Sequence, residues 1–294
     1  MGFPPALPPE RTWFPLVELA VSEDIGAGDA TTPLVVEAGH QGSAIIEARQ
    51  PLVVCGLEVA FAVFREIDAQ LQLRTLIRDG EQAEPGDILA TVQGDLRGIL
   101  AAERTALNFL MRMCGVASWT HRFVDAVEGT GVRIVDTRKT LPGWRSLDKY
   151  ATGVGGATNH RVGLYDGILL KDNHVAIAGG VGLAVKAALA AAPANLRVCV
   201  EVESEAQAIE AVESGADYLL LDNRTPPEMR AIAEQLADRA QLEVSGGVHL
   251  GNVREIAETG VHRISIGALT HSAPSADVAL EIENVVAKPG RVPA

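Results

Sequence analysis

The chain has 294 residues, 47% hydrophobic and 21% charged, the balance of a folded protein with room for one large and one smaller domain. With 25 Lys and Arg against 38 Asp and Glu, its formal charge is −13, so its surface repels nucleic acid and anionic membranes, and an anionic ligand needs a local cluster of cations. No stretch reaches the ~18 uninterrupted apolar residues of a membrane span, and Cys55, Cys114 and Cys199 form neither a metal spacing nor a disulfide framework, which fits a reducing cytoplasm.

The proline-rich opening, 1–15, has no basic-then-apolar run and reads as an extended arm rather than a signal peptide. To about residue 110 the pattern is that of an α+β module. Residues 42–49 and 70–77 alternate like strands, 57–67 read as a helix, and Asp79-Gly80 marks a turn. A long helix is predicted over about 96–117, with Leu96, Ile99, Leu100, Ala106, Leu107, Leu110 and Met113 on one stripe. Glu103 lies on that stripe and is expected to be buried and paired, while Arg104 and Asn108 share a neighbouring face.

From about residue 132 a short β-branched run, a polar or glycine-containing step and a helical stretch recur. The runs are 132–136, 167–170, 196–202, 218–221, 242–244 and 263–266, and their near-continuous apolar character is that of parallel strands covered on both faces. Ser204 with Gln207, Thr225 with Glu228, and Asn252 with Glu255 are expected capping boxes, and residues 183–194 read as a buried helix. Six βα units in about 140 residues predict a parallel barrel or a doubly wound sheet.

Ligands of such sheets bind at the carboxyl ends of the strands. Here those ends carry Asp136-Thr137-Arg138-Lys139-Thr140, then Lys171-Asp172-Asn173-His174, Glu201, Asp222-Asn223, Ser245-Gly246-Gly247, and Gly267 followed by His271. The first two are cationic, the next two anionic and the last two glycine-rich. Between 136 and 174 six Lys and Arg face four Asp, a local +2 in an acidic chain. Arg138, Lys139 and Lys171 read as ligand-holding cations, and Arg145 and Lys149 as solvated or paired. Glu201 and Asp222, on successive strand ends, suit a shared divalent cation with a phosphorylated ligand. The glycine-rich ends suit phosphate. Residues 153–157, rich in glycine but without the dinucleotide spacing, read as a loop presenting Asn159-His160-Arg161.

Together with Glu23-Asp24-Ile25-Gly26-x-Gly28-Asp29 and Glu103-Arg104-Thr105-Ala106-Leu107-Asn108, these segments resemble the quinolinate phosphoribosyltransferases over nearly the whole chain. Ala157 departs from that pattern, standing where the family has the third of three glycines. The resemblance implies an α/β protein with an N-terminal α/β sandwich domain (1–115, joined by the tail 275–294) and an incomplete parallel α/β barrel (116–274). It implies a cytoplasmic homodimer that joins quinolinate to 5-phosphoribosyl 1-pyrophosphate with Mg²⁺, yielding nicotinate mononucleotide, pyrophosphate and CO₂ in NAD biosynthesis.

By position, Arg104 would reach quinolinate across the dimer, and Thr137, Arg138, His160, Arg161 and Lys171 would complete that pocket. Lys139 and His271 would lie by the pyrophosphate. Glu201 and Asp222 would face the ribose and Mg²⁺, and Ser245, Gly246, Gly247 and Gly267 the 5′-phosphate. Lys139, Lys171, Glu201 and Asp222 are the expected catalytic set. The competing readings are a superfamily member acting on nicotinate or belonging to a molybdenum-transport cluster, a non-catalytic phosphosugar-binding protein, and a Schiff-base aldolase using Lys171. Arg104, Arg138 and Arg161 together favour a dicarboxylate substrate.

Overall fold

Alternating burial along residues 41–48 makes a strand with one face, Gly42, Ala44, Ile46 and Ala48, turned inward. The structure, a computed structural model, describes residues 5–285. Five strands precede the long helix: β1 (Gln41–Ala48), β2 (Leu52–Val53), β3 (Gln72–Thr75), β4 (Gln82–Ala83) and β5 (Ile88–Asp95). The next six after it are β6 (Arg133–Val135), β7 (Ile168–Leu170), β8 (Val198–Val202), β9 (Tyr218–Asp222), β10 (Gln241–Ser245) and β11 (Arg263–Ser265). The last described strand is β12 (Val278–Val285). Two units result, one of residues 5–119, 141–155 and 273–285, the other of 120–140 and 156–272.

In the first unit an antiparallel sheet of order β12-β1-β5-β3 is joined by the small β2-β4 ladder. The helix Leu57–Ile67 starts after Gly56, whose φ of 97° and whose contact with the Met113 side chain leave room only for glycine. The helix Leu96–Ala126 runs past its predicted end at about 117, because Thr120 and Phe123 continue the buried stripe. The helix Phe14–Ile25, read as arm and unassigned sequence, is fixed by buried Trp13 and Val17, and the Trp13 indole donates to the Pro8 carbonyl at 2.9 Å.

Residues 141–155 differ from the expectation in two ways. They belong to the first unit, although the boundary was expected at 115/116, and Gly153 and Val154 end a helix, Arg145–Val154, rather than open a loop. The cause is an apolar stripe, Leu147, Tyr150, Ala151 and Val154, that packs into the first core. Asp148 fastens it, ion-paired with Arg112 at 3.0 Å and accepting from the Leu141 N–H at 3.3 Å, and the Tyr150 hydroxyl donates to Asp79 at 2.8 Å. Of the expected tail 275–294, residues 275–285 lie in the first unit and 286–294 fall outside the described residues.

The second unit is a six-stranded, all-parallel sheet of order β6-β11-β10-β9-β8-β7. The strands first in sequence, β6 and β7, are its two edges, so it is an open, incomplete barrel. Ser204 and Thr225 cap their helices as predicted, with Gln207 N–H to Ser204 Oγ at 3.2 Å and Thr225 N–H to Glu228 at 2.7 Å. Asn252 does not. Its side chain accepts from the His249 N–H at 2.8 Å and donates to the Gly247 carbonyl at 3.0 Å, tying down the glycine turn after β10. The helix Val181–Ala191 buries Val181, Ala184 and Val185 but exposes Leu183 and Leu189. Among the described residues no single helix is long and apolar enough to cross a membrane.

Gly115 sits where the long helix meets the chain entering β12. A Cβ there would overlap the Pro274 carbonyl oxygen and approach Ser275 Cα to 2.9 Å, while the Ala276 N–H donates to the Met111 carbonyl at 2.9 Å. Gly115→Ala is expected to lower unfolding free energy by about 1–3 kcal/mol. Urea denaturation checks this, and an unchanged midpoint would show that the contact is not tight.

Candidate active site

The ends of six parallel strands gather the polar residues. After β6, Asp136 is wholly buried; its carboxylate accepts from the His160 N–H at 2.7 Å and from Asn159 Nδ2 at 2.8 Å. Its own N–H donates to the Thr158 carbonyl at 3.2 Å. Asp136 thus pins residues 158–160 against β6. Ala157 has no positive φ, so its backbone does not require the family's glycine, whereas Gly156 has φ 96°. The Thr137 hydroxyl accepts from the Lys139 N–H at 3.0 Å, and the Thr270 hydroxyl donates to the Lys139 carbonyl at 2.8 Å.

Arg138 and Arg161 form a pair of like charges. Burial first and Arg138 second lower the pKa of Arg161. Arg161 is held at two points, its N–H donating to His160 Nδ1 at 2.7 Å and its Nη1 to the Gly167 carbonyl at 3.0 Å. The loop beyond it closes on Asp166, which accepts from the N–H groups of Val162 and Gly163 at 2.7 and 2.8 Å.

Lys171, after β7, reaches Glu201 on β8 at 3.4 Å. Glu201 pairs in register with Leu220 on β9, so Asp222, two residues on, shares its face, and Ser245 is opposite Asp222. Asp222 accepts from Asn223 Nδ2 at 2.6 Å. Asn223 is the one described non-glycine with positive φ, and its N–H donates to the Ser245 carbonyl at 3.0 Å. Gly246 (φ 92°) and Gly247 (φ 63°) follow, and any side chain at 246 would run into the Asn223 amide. Turns of this kind form concave anion sites. A Cβ on Gly267 would lie 2.8 Å from Lys139 Cδ and 3.0 Å from His271 Nε2, so the lysine and the histidine flank that glycine.

The expected residues 137–139, 160, 161, 171, 201, 222, 245–247, 267 and 271 are therefore all in the second unit. Arg104 is in the first unit, 60% exposed and 4.0 Å from Glu103, whose carboxyl is half-buried and raised in pKa by burial, with Arg104 opposing. His160 is held on both ring nitrogens' sides. Its Nδ1 accepts from Arg161, and its Nε2 faces Glu243 at 3.5 Å. Sequence reasoning missed Glu243, Tyr218 and Arg263, which share the inward face with Glu201; the signal was a carboxylate inside the apolar run 242–244.

Family models match most of the chain, the quinolinate phosphoribosyl transferase N-terminal domain over residues 29–114 and its C-terminal domain over 116–281. The chain belongs to the quinolinate phosphoribosyltransferase family. It is 44% identical over 273 residues to the nicotinate-nucleotide pyrophosphorylase (carboxylating) of Mycobacterium leprae, covering 90% of this chain and 95% of that one. The probable enzyme of that name from Bacillus subtilis is 38% identical, covering 88% and 90%. The solved nicotinate-nucleotide pyrophosphorylase of Francisella tularensis superposes with a TM-score of 0.89 at 34% identity, covering 94% and 97%. The sandwich and incomplete barrel of the quinolinate phosphoribosyltransferases are thus the fold of this chain.

Burial raises the Glu201 pKa above its ordinary value, Asp222 adds to the rise and Lys171 opposes it. A raised carboxyl favours the protonated fold, so this contribution to stability is present below the unfolded pKa and is lost as pH rises through the folded one. Carboxyl NMR should place the Glu201 midpoint above that of an ordinary glutamate, and Lys171→Met should raise it further. A downward shift in that variant would refute the pairing.

Proposed function

We propose that this member of the quinolinate phosphoribosyltransferase family transfers the phosphoribosyl group of 5-phosphoribosyl 1-pyrophosphate to quinolinate, with decarboxylation, in NAD biosynthesis. The observation that carries this reading is the cation set Arg138, Lys139, Arg161 and Lys171 at the strand ends of a chain of net charge −13, facing Glu201 and Asp222. Two carboxylates on one ring call for several fixed cations. Arg138, Arg161 and Lys171 hold them, and Arg104 joins from a partner subunit. Thr137 supports Lys139 through its backbone. The turns at Ser245, Gly246, Gly247 and Gly267 take the 5′-phosphate, and Lys139 with His271 takes the pyrophosphate.

The pyridine nitrogen attacks the anomeric carbon while the bond to pyrophosphate breaks. Positive charge develops on the ribosyl carbon, and Glu201 and Asp222 stabilise it, while Lys139 and Lys171 stabilise the departing anion. No protein nucleophile is required, because positioning and electrostatics suffice. The ring carboxylate next to the nitrogen then leaves as CO₂. Its electron pair stays on the ring carbon, beside the positive pyridinium nitrogen, until a proton arrives.

Glu201 and Asp222 fit Mg²⁺, since two carboxylates on one face, completed by substrate oxygens, are its usual protein share. Among the described residues no cluster of three or more His, Cys, Asp or Glu offers an all-protein cage. Bound there, the ion would neutralise diphosphate charge. We also place the protein in the cytoplasm as a homodimer. Its three cysteines are free and buried, and Leu164, Tyr165 and Ile177 are exposed apolar side chains that a second copy would cover.

Quinolinate, the phosphoribosyl donor and Mg²⁺ should yield nicotinate mononucleotide and one CO₂ per turnover, and chelation should stop the reaction. Nicotinate should be poorer by about 10³-fold or more, because it leaves a cation site unfilled; equal rates would overturn the dicarboxylate reading. Arg104→Ala and Lys139→Ala, each inactive alone, should regain about a quarter of wild-type activity when co-assembled at random, because about half of the dimers are then mixed and each mixed dimer has one intact site of its two. No recovery in verified mixed dimers would place Arg104 in its own subunit's site.

A further inference from the structure

Strand β10 carries a carboxylate where a strand covered on both faces is otherwise apolar. Glu243 is 1% exposed and lies between the fully buried Leu242 and Val244. In register it is opposite Leu220 of β9 and Arg263 of β11. Its Oε2 accepts from the Tyr218 hydroxyl and lies 3.2 Å from Arg263 Nε, while Oε1 lies 3.5 Å from His160 Nε2. The Arg263 guanidinium also lies over the Tyr218 ring, 5.3 Å from its centroid. For stability alone such a group is a poor choice, because desolvating an ion pair costs several kcal/mol and apolar residues of similar volume often serve as well or better.

What the group reaches gives it a use. His160 Nδ1 accepts the Arg161 N–H, so the ring proton of the neutral histidine is on Nε2, the nitrogen that faces Glu243. The His160 N–H is held independently by Asp136. Arg161 therefore follows a histidine whose Nε2 faces a buried carboxylate oxygen at ion-pairing distance, an oxygen that has no hydrogen-bond partner of its own among the described residues. Cys199 shows that these groups are contiguous: burial first, then Glu243, raises its pKa, while Arg263 and Arg161 oppose the rise.

We propose that Glu243, clamped by Tyr218 and Arg263, is a positioning residue that fixes the Nε2-protonated tautomer of His160 and, through it, the Arg161 guanidinium that grips a substrate carboxylate. The proposal rests on the reading of Arg161 as a quinolinate ligand.

The test is Glu243→Gln, which keeps the volume and an acceptor for Tyr218 but can turn an amide donor toward the histidine. Nitrogen-edited NMR of the histidine rings, with the His160 signal assigned by its loss in His160→Gln, should show Nε2–H in the wild type and a shift toward Nδ1–H in the variant. The KM for quinolinate should rise about tenfold, the scale of lost outer-shell supports, with the KM for the phosphoribosyl donor unchanged. An unchanged tautomer, or equal rises in both KM values, would overturn the proposal in favour of a structural role. Should Glu243→Gln not fold, Tyr218→Phe decides. It removes one clamp, and it should raise the quinolinate KM alone; no change in either KM would refute the positioning role. If the wild type bound no quinolinate while the NMR shift held, the substrate reading would fail and the clamp on His160 would stand.

Discussion

Cations that grip a dianion have to be close together before the ligand arrives, and they repel each other. Two unit charges 4 Å apart near a protein surface interact by about 4 kcal/mol. Arg138 and Arg161 meet this constraint directly, since Arg138 disfavours the charge of Arg161. The chain answers with inward carboxylates: Asp136 wholly buried, Glu243 almost so, and Glu201 with 9% of its side chain exposed. Each binds a different part of the cation set. Asp136 holds the backbone that carries His160, Glu243 faces the His160 ring, and Glu201 pairs with Lys171.

Strand register converts that electrostatic need into geometry. Glu201, Leu220, Glu243 and Arg263 are successive neighbours across β8, β9, β10 and β11, and Asp222 and Ser245 are one pleat further along the same face. A slip of one residue in any strand would turn its whole set away. Adjacent glycine turns need the same precision. Gly246 abuts Asn223, whose left-handed backbone is tied to Ser245, and Gly267 has Lys139 and His271 against it. A side chain at 246 would displace Asn223, and one at 267 would displace Lys139 and His271.

The first unit solves a different problem, that of packing a long helix on both sides. Gly56 admits Met113, Gly115 admits the chain at Pro274, and the Arg145–Val154 helix adds its apolar stripe to the same core. Arg112 with Asp148, and Tyr150 with Asp79, satisfy the polar groups this packing covers. Arg104 remains exposed on the helix so anchored.

Much of this was legible in the sequence. The parallel strands lie within two residues of their apolar runs, and Lys171, Glu201, Asp222 and Ser245 were found by reading the residue where each run ends. Thr225 and Glu228 announced their cap. All these are local signals, set by side-chain periodicity and backbone preference over a few residues. The tertiary structure alone decided the rest. Arg145–Val154 is a helix of the first core because its stripe finds apolar partners far away in sequence. Asn252 left its cap for Gly247 because that carbonyl was in reach. His160, Tyr218, Glu243 and Arg263 become one network only when separate strands bring them within hydrogen-bonding and ion-pairing distance. A sequence specifies which groups are available, but the interaction between two charges depends on their separation in space and on the water excluded between them, and only the folded chain fixes both.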